Sequence, residues 1–323
     1  MCTCITYQTQ DFYFGRNMDL EYTFGEQVMV MPRNYVLSFK KMNRIEEHYA
    51  MIGMACSTEN YPLYAEAVNE KGLCMAGLNF PENAVYHNVE EKKINITPYE
   101  LIPWTLSQCA SVDEAILLLA EVNLINVPFK KDLPAAPLHW MICDKKKSLV
   151  LEPLKEGLRI CENPIGVLTN NPVFDYHLEN LNNYLNVTSS YPQNRFTQRL
   201  RLKPYGQGMG AIGLPGDYSS ASRFVRAAFL KWNSVCKEDE LSSITQVFHV
   251  LDGVSMVRGS VLTPQGKYDM TTYSCCVNAD RGIYYYKTYE NHQIHAVKLF
   301  ENAVDGNSLL CYPLGKEQAV HYC

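Results

Sequence analysis

The sequence predicts an α+β protein in which two antiparallel sheets pack face to face, with helices on the outside. Hairpin patterns recur at the start, in the middle and at the end of the chain, and helical patterns are grouped between them. Apolar residues make up 47% and charged residues 20% of the 323 positions, so a sizeable core is expected. Hairpins combined with segregated helices are typical of layered α+β folds.

The overall charge and apolar pattern exclude several kinds of partner. A net charge of -5 offers no basic surface for nucleic acid. The longest apolar stretch, residues 115–120, is far too short to span a membrane. Because no charged segment followed by an apolar one opens the chain, we expect no secretory signal and a cytoplasmic protein.

The 12 cysteines are expected to be reduced and mostly buried, because a chain with this much core does not need disulfides. Five lie within apolar or strand-like runs: Cys56, Cys74, Cys109, Cys143 and Cys161. The cysteine pairs at 2 and 4 and at 275 and 276 lack the two-residue spacing of a zinc knuckle. We therefore expect neither a metal nor a cofactor.

Cys2 follows the initiator methionine, whose removal is expected because cysteine is small. The thiol, with an ordinary pKa of about 8.5, then sits beside a free amine of pKa about 8. At neutral pH part of this amine is unprotonated and can take the thiol's proton, which activates the nucleophile. Cys2 is therefore the candidate nucleophile.

The first element of the chain is a β-hairpin that surrounds this cysteine. Residues 2–7 alternate short polar and apolar side chains, a polar turn follows, and a second β-rich run comes after it. A turn near residues 9 and 10 pairs positions whose numbers sum to about 19 or 20. Cys2 then lies opposite Asn17 and Met18.

This pairing brings two charged residues to the flanks of the thiol. Arg16 is expected to stabilise the thiolate, and Asp19 to orient the ammonium or the thiol. Side chains alternate along a strand, so both residues serve only if the strand ends or kinks near Asn17. The alternative is a surface arginine and aspartate on an edge hairpin.

The remaining elements follow from alternation, turn residues and helical periodicity. Strands are predicted at 27–31, 49–56, 63–68, 73–78, 138–143, 148–153, 167–169, 270–277, 283–289 and 294–299. Helices are predicted at 99–110, 112–122, 173–185, 219–235 and 241–254. Ser111 and Glu114 form a capping box at the second helix. No linker divides the chain, so we expect one domain over residues 1–323.

Two further segments read as loops. Residues 127–138 contain three prolines among apolar residues, which predicts a loop with an apolar surface. Gly208, Gly210 and Gly213 match the spacing of the dinucleotide-binding fingerprint. We reject that match because no strand precedes the glycines and Pro215 prevents a following helix, so a mobile glycine loop is expected instead.

Two asparagines stand at predicted strand ends, where functional groups often collect. Asn79 precedes Phe80 and Pro81, and Asn170 precedes Asn171 and a second proline. Either asparagine could instead cap the turn before its proline.

Ordered motifs over nearly the whole chain resemble the choloylglycine hydrolases. These are bile salt hydrolases, grouped with penicillin V acylases among the N-terminal-nucleophile hydrolases. The motifs are MCT at 1–3, FGRNMD at 14–19, GLNFP at 77–81, VLTNNP at 167–172, and GLPGD at 213–217 with ASRF at 221–224. The resemblance implies a four-layer αββα sandwich, hydrolysis of an amide and a homotetramer.

The resemblance also implies roles for the residues in these motifs. They are Cys2 as nucleophile with its freed amine as base, Arg16 for the thiolate, Asp19 for the amine, Asn79 and Asn170 as oxyanion donors, and Arg223 as a further charged residue near the thiol. Asn79 resembles the bile salt hydrolases, since penicillin V acylases tend to carry tyrosine there. The implied substrates are therefore bile salts conjugated with glycine or taurine.

A steroid body needs a broad apolar wall. The loops best placed to supply one carry Met18, Leu20, Phe24, Tyr61, Phe129, Leu133 and Ala136. For each of these side chains the alternative is ordinary loop packing.

Other functions remain open at this point. A penicillin V acylase or an N-acyl homoserine lactone acylase uses the same catalytic groups. A glutamine amidotransferase also opens with a cysteine, but it requires a second synthase-like domain that this sequence does not indicate. A non-catalytic binding protein predicts that Cys2→Ala leaves function intact.

Overall fold

The computed structural model describes residues 1–323. Its strands are β1 Cys2–Gln8, β2 Phe12–Leu20, β3 Gln27–Met31, β4 Met51–Thr58, β5 Tyr61–Asn69, β6 Cys74–Asn79, β7 Ile94–Ile96, β8 Val122–Leu124, β9 Leu138–Cys143, β10 Ser148–Leu154, β11 Gly157–Glu162, β12 Val167–Leu168, β13 Met270–Asn278, β14 Ile283–Thr288, β15 His295–Lys298 and β16 Leu310–Pro313. Its α-helices are α1 Leu101–Gln108, α2 Val112–Leu119, α3 Phe174–Leu181, α4 Ser220–Asn233 and α5 Glu240–Asp252. Short 3₁₀ helices cover Asn182–Tyr184, Met209–Ala211 and Leu299–Glu301.

Two antiparallel sheets form the centre of the molecule. The first has six strands in the order β12-β1-β2-β13-β14-β15, and the second has eight in the order β11-β10-β9-β6-β5-β4-β3-β16. Helices α4 and α5 pack on the first sheet, and α1 packs on the second. The predicted four-layer αββα sandwich is therefore confirmed.

Side-chain alternation along the second sheet separates two cores. In β3, Val28 and Val30 belong to the larger core, which fills the space between the sheets and beneath α4 and α5. Met29 and Met31, on the other face, belong to the core beneath α1 and α2. Cys2 is a member of the larger core, so the candidate nucleophile lies between the two sheets and is almost completely buried.

Several elements differ from the prediction. The parallel pair β7 and β8 was not predicted, and neither were the edge strands β11 and β16. β8 begins at Val122, the last residue of the stretch predicted as the second helix, and α2 ends earlier than predicted, at Leu119. α3 is also shorter than predicted and continues as the 3₁₀ turn Asn182–Tyr184.

The predicted end or kink of the first hairpin near Asn17 is wrong. Strand β2 continues without a break to Leu20. The irregularity lies instead in its neighbour β13, where the register shifts between Thr271 and Tyr273. The hairpin is also not an edge hairpin, because β1 and β2 both have neighbours on either side.

None of the helices combines the length and the apolar character that a membrane crossing requires. All cysteines are free, and seven of them are buried: Cys2, Cys4, Cys74, Cys109, Cys143, Cys275 and Cys276. No group of three or more histidine, cysteine or acidic side chains has a geometry suited to a metal ion.

Candidate active site

The hairpin places Cys2 in the first sheet between β12 and β2. Its register pairs Cys2 with Met18, which agrees with the prediction that the numbers of paired residues sum to about 19 or 20. The Cys2 side chain faces the second sheet and is 3% exposed. Its Sγ lies 3.7 Å from the Sδ of Met18, so one wall of the thiol's environment is a thioether.

Arg16 contacts the thiol directly. Its Nη2 donates to the Cys2 Sγ at 3.2 Å and to the Gly77 carbonyl at 2.7 Å. Its Nη1 donates to the Ala65 carbonyl and to Glu66 Oε2, both at 2.7 Å. Burial lowers the pKa of this guanidinium, but Cys2 and Glu66 outweigh that effect and raise the pKa well above its usual value. Arg16 is therefore a fixed positive charge against the sulfur.

Asp19 lies on the opposite face of β2 from Arg16. The same face carries Asn17, whose amide donates to the Leu251 carbonyl of α5. The Asp19 Oδ1 accepts from Thr271 at 2.6 Å, and its Oδ2 is 3.8 Å from Arg223. Burial raises the pKa of Asp19, and Arg223 opposes the rise. Asp19 makes no hydrogen bond to the thiol, because the unbroken strand turns it towards the helices.

Met1 extends β1 and is hydrogen-bonded to Asp19 main-chain atoms. Its carbonyl accepts from the Asp19 amide at 2.9 Å. Its amine donates to the Asp19 carbonyl and, at 3.3 Å, to Asp269 Oδ2. With Met1 present the nitrogen of Cys2 is an amide, and loss of Met1 converts it to an amine beside Asp19.

Asn170 and Arg223 hold the main chain of Cys2. The Cys2 amide donates to Asn170 Oδ1 at 2.9 Å, and Arg223 Nη2 donates to the same oxygen at 2.7 Å. Arg223 Nη1 donates to the Cys2 carbonyl at 2.6 Å and to Thr3 Oγ1 at 2.7 Å. Burial lowers the pKa of Arg223, and Asp19 and Cys2 oppose this. Arg223 thus contacts the backbone of the nucleophile rather than its sulfur.

Asn79 reaches the site from the end of β6. Its main-chain carbonyl accepts from Asn170 Nδ2 at 2.7 Å, which connects the two predicted oxyanion residues. Its side chain is exposed and makes no intramolecular hydrogen bond. The Asn79 amide is therefore available to a ligand, whereas the Asn170 amide is in use.

The seven predicted wall residues lie in three different settings. Met18 contacts the thiol, and Leu20 and Phe24 pack against the same core as Cys2. Tyr61 and Phe129 pack on each other, with ring centroids 5.8 Å apart. The remaining two, Leu133 and Ala136, are exposed on the loop before β9.

Two buried histidines behind the site were missed by the sequence analysis. His139 Nε2 is 3.0 Å from the Thr169 carbonyl, and His177 Nε2 is 2.9 Å from the Asn170 carbonyl. Both rings are stacked, on Phe80 and Phe224 respectively. Burial lowers the pKa of His177, which favours its neutral form. The loop that carries Asn170 is therefore held by two imidazoles.

Three acidic or hydroxyl residues of the site were also missed: Glu66, Asp269 and Thr271. Glu66 offers the one usable signal, because a carboxylate stands among apolar residues in the strand predicted at 63–68. Asp269 and Thr271 lie at the start of β13 and have no distinctive local pattern. Only the pairing of β13 with β2 brings them to Asp19.

Cys2 is buried in the first sheet of an αββα sandwich, and a guanidinium contacts its sulfur. This fold and site are those of the N-terminal-nucleophile hydrolases. The family model for linear amide C–N hydrolases of the choloylglycine hydrolase family matches residues 2–312. The chain belongs to that family.

Known relatives and structures agree with this assignment. A bile salt hydrolase/transferase of Lactiplantibacillus plantarum is 50% identical over 317 residues, which cover 98% of each chain. A bile salt hydrolase/transferase of Clostridium perfringens is 40% identical over 100% of this chain and 99% of its own. The crystal structure of a mutant conjugated bile acid hydrolase from the same species superposes with a TM-score of 0.93 at 39% identity, covering 100% and 99% of the two chains.

Penicillin V acylase from Agrobacterium tumefaciens has the same fold. Its structure superposes with a TM-score of 0.78 over 99% of this chain and 94% of its own. The two sequences are only 21% identical, so this likeness concerns the fold alone.

Proposed function

We propose that this enzyme hydrolyses the amide bond of bile salts conjugated with glycine or taurine, releasing the free bile acid and the amino acid. The observation that carries the proposal is the contact between the Cys2 sulfur and Arg16 in a chain that is 50% identical to a bile salt hydrolase/transferase over nearly its whole length. The open side chain of Asn79 next to Asn170 supports the same reaction.

The reaction begins with removal of Met1. The freed amine of Cys2 takes the proton of its own thiol, and Arg16 stabilises the resulting thiolate. Asp19 lies beside the position of this amine and helps to orient it. The supporting observation is that the Met1 amine donates to the Asp19 main-chain carbonyl and to the Asp269 carboxylate, and the Cys2 nitrogen is one residue further along the same strand.

The thiolate attacks the amide carbon of the conjugate and forms a carbon–sulfur bond, while the carbonyl electron pair moves to the oxygen. The tetrahedral intermediate then collapses as the carbon–nitrogen bond breaks. The leaving nitrogen takes the proton from the Cys2 ammonium and departs as glycine or taurine. A thioester between Cys2 and the bile acid remains.

Water completes the cycle. The Cys2 amine takes a proton from the attacking water, a carbon–oxygen bond forms, and the carbon–sulfur bond breaks. The departing sulfur recovers the proton, so that the free thiol is restored and the bile acid is released. In both tetrahedral steps the oxyanion is stabilised by the side chains of Asn79 and Asn170, each donor contributing about 3 to 4 kcal/mol.

Asn170 needs a rearrangement for this role, because its amide nitrogen donates to the Asn79 carbonyl in the free enzyme. Arg223 and the Cys2 nitrogen hold its other atom, Oδ1. We propose that the substrate's oxygen draws the Asn170 amide away from the Asn79 carbonyl. Arg223 then acts by holding both the Cys2 backbone and the asparagine.

The steroid body is proposed to bind against the apolar wall: Met18, Leu20, Phe24, Tyr61, Phe129, Leu133 and Ala136. Met18 sits directly at the thiol, and the exposed pair at the loop before β9 lies near the outer end of Asn79, since Asn79 pairs with Leu138. These positions support a binding surface that runs outward from the sulfur.

We further propose that the enzyme is a cytoplasmic homotetramer in which residues 1–323 form one catalytic domain. Twelve free cysteines fit a reducing compartment. The tetramer is carried over from the family resemblance, and light scattering on the purified protein tests it.

A direct test compares substrates on the Met1-free protein. Turnover of glycocholate and taurocholate should exceed that of penicillin V and of an N-acyl homoserine lactone. Intact-mass spectrometry with a conjugated bile salt should show loss of methionine and a transient adduct that Cys2→Ala cannot form. Faster turnover of penicillin V would assign the enzyme to the acylase alternative instead.

The same thioester is open to attack by an amine as well as by water, and both relatives described above carry the name hydrolase/transferase. We therefore propose a second reaction, in which an amino acid replaces water and a new conjugate forms. Adding excess phenylalanine to a glycocholate reaction and searching for the phenylalanine conjugate tests it. Absence of that product in the presence of normal hydrolysis would restrict the enzyme to water.

A further inference from the structure

Glu66 is a buried carboxylate that the catalytic scheme above does not use. It lies in β5, in the second sheet, and its side chain is 0% exposed. Four donors converge on its two oxygens. They are Arg16 Nη1 at 2.7 Å, Tyr273 at 3.0 and 3.2 Å, Tyr284 at 2.5 Å and the Cys275 thiol at 3.6 Å.

The two tyrosines keep their protons in this environment. Burial raises the pKa of Tyr273 and of Tyr284 well above the usual value, and the charge of Glu66 adds to the rise for each. Burial likewise raises the pKa of the Cys275 thiol. Glu66 is therefore surrounded by neutral donors and a single cation, Arg16.

One guanidinium joins Glu66 to the nucleophile. Arg16 presents Nη1 to the carboxylate and Nη2 to the Cys2 sulfur. The carbonyls of Ala65 and Gly77 hold the same two nitrogens independently. The position of Arg16 thus does not depend on Glu66 alone, but its charge has no other carboxylate partner within 4 Å.

The charge on the sulfur changes during the proposed reaction. Cys2 is an uncharged thiol before activation, an anion when it attacks, and an uncharged thioester afterwards. A buried cation without a counter-ion is strongly unfavourable. Without Glu66, Arg16 would have no charged partner whenever the Cys2 sulfur is a thiol or a thioester. The unpaired guanidinium would then favour the thiolate over both of these uncharged forms.

We propose that Glu66 is a positioning residue that acts through Arg16: it neutralises the guanidinium whenever the sulfur is uncharged and so sets the basicity of the Cys2 thiolate. A thiolate that is stabilised too strongly is a weaker nucleophile. Glu66 keeps Cys2 reactive by limiting how much stabilisation Arg16 supplies. The inference rests on the proposed roles of Cys2 and Arg16.

The test measures the pH dependence of Cys2 alkylation. Met1-free protein is treated with iodoacetamide across a pH series, and mass spectrometry of the N-terminal peptide separates Cys2 from the other cysteines. Glu66→Gln removes the charge and keeps an acceptor for Arg16. Its midpoint should lie at least about one pH unit below that of the unmodified sequence, because a like charge near the thiolate has been removed.

Glu100→Gln is the matched control. Glu100 is a comparably buried carboxylate, 2% exposed, whose oxygens accept from the main-chain amides of Lys40 and Thr97 rather than from Arg16. Its alkylation profile should superpose on that of the unmodified protein. An unchanged or higher midpoint in Glu66→Gln overturns the proposal.

A second variant covers the case in which Glu66→Gln does not fold. Tyr273→Phe with Tyr284→Phe keeps both rings and removes two donors from the carboxylate, whose negative charge then acts more strongly on the sulfur. The midpoint should therefore rise, opposite to Glu66→Gln. A general loss of packing does not predict that the alkylation midpoint falls in Glu66→Gln and rises in the double tyrosine variant. A midpoint that falls or stays unchanged in the tyrosine variant overturns the proposal.

The alkylation profile and bile salt turnover are separate measurements. If the expected shifts are found and glycocholate is not hydrolysed, the role of Glu66 stands and the proposed substrate is wrong. If glycocholate is hydrolysed and the shifts are absent, the proposed substrate stands and the role of Glu66 is wrong.

Discussion

The two sides of Cys2 are built from different chemistry. Towards the second sheet the sulfur meets Arg16, which is ion-paired with Glu66. Towards β12 the backbone nitrogen meets the side-chain amide of Asn170, whose main-chain carbonyl is held by His177. Arg223 also lies on this side, where it contacts Asn170 Oδ1 and the Cys2 carbonyl but not the sulfur. Both sides are almost completely buried.

This difference separates two tasks. The ionic side controls the charge on sulfur, because a fixed cation in a low-dielectric region acts strongly on a neighbouring thiolate. The asparagine side offers amide dipoles that can follow the substrate's carbonyl oxygen as its negative charge grows. Substitutions of Arg16 or Glu66 should therefore change thiol titration and stability, and substitution of Asn170 should change turnover.

The largest effect is expected from loss of the terminal amine of Cys2. A protein that keeps one residue in front of Cys2, made by specific cleavage of a fusion, has the thiol but no terminal amine. Its hydrolysis of glycocholate should fall by a factor of about 10² to 10⁴, the contribution of a general base. Steady-state kinetics measures this, and a full rate with the extra residue in place would refute the amine's role.

On the ionic side, Arg16→Met should destabilise the fold most strongly. Glu66 would then be a buried carboxylate without its cation, which costs about 3 to 5 kcal/mol. Urea unfolding measures the change, and the double variant with Glu66→Gln should recover part of the loss. If the double variant is no more stable than Arg16→Met alone, Glu66 and Arg16 do not form the ion pair described above.

On the asparagine side, Asn170→Ala should lower kcat by a factor of about 10² to 10³, corresponding to one lost oxyanion donor. The midpoint of Cys2 alkylation should change much less than in Arg16→Met, since no charge is removed. A pH-profile shift as large as that of the arginine variant would show that the two sides are not separable.

The smallest effect concerns His177 and appears as a dependence on pH. Its pKa is lowered by burial, so the unfolded chain binds a proton at higher pH than the native protein does. The free energy of unfolding should therefore be fully retained above pH of about 6.5 and decrease as the pH falls below that value.

Substituting glutamine for His177 isolates the contribution of this imidazole to the pH dependence of unfolding. His177→Gln keeps a donor for the Asn170 carbonyl and cannot titrate. Between about pH 7.5 and about pH 5.5 the unmodified protein should lose more of its free energy of unfolding than this variant does. Urea unfolding at the two pH values measures the difference, and equal losses would mean that His177 is protonated in both states alike.

The sequence predicted correctly those neighbours of Cys2 that come from its own hairpin. The Cys2–Met18 register follows from a short turn and from alternation, and the structure has that register. The same reasoning placed Arg16 at the sulfur. It was wrong about the strand near Asn17, because it required an end or kink there for Arg16 and Asp19 both to serve, whereas the unbroken strand directs the Asp19 side chain to Thr271 and Arg223.

The edge strands were missed for a different reason. β11 is only half-buried along its length and β16 is a four-residue strand that alternates between half-buried and exposed positions, so neither has a strong apolar signal. Their pairing with β10 and β3 supplies what the local sequence does not. Short edge strands of this kind depend on an existing template.

By itself the sequence determined the layered α+β class, the nucleophile and the first hairpin, because alternation, turns and helical periodicity act over a few residues. Only the tertiary structure decided which groups surround the sulfur. Arg16, Tyr273 and Tyr284 of the first sheet all donate to the carboxylate of Glu66 in the second sheet, although they lie up to 218 positions from it. Their meeting depends on how the two sheets face each other, and charge pairing across that space leaves no periodic trace in the chain.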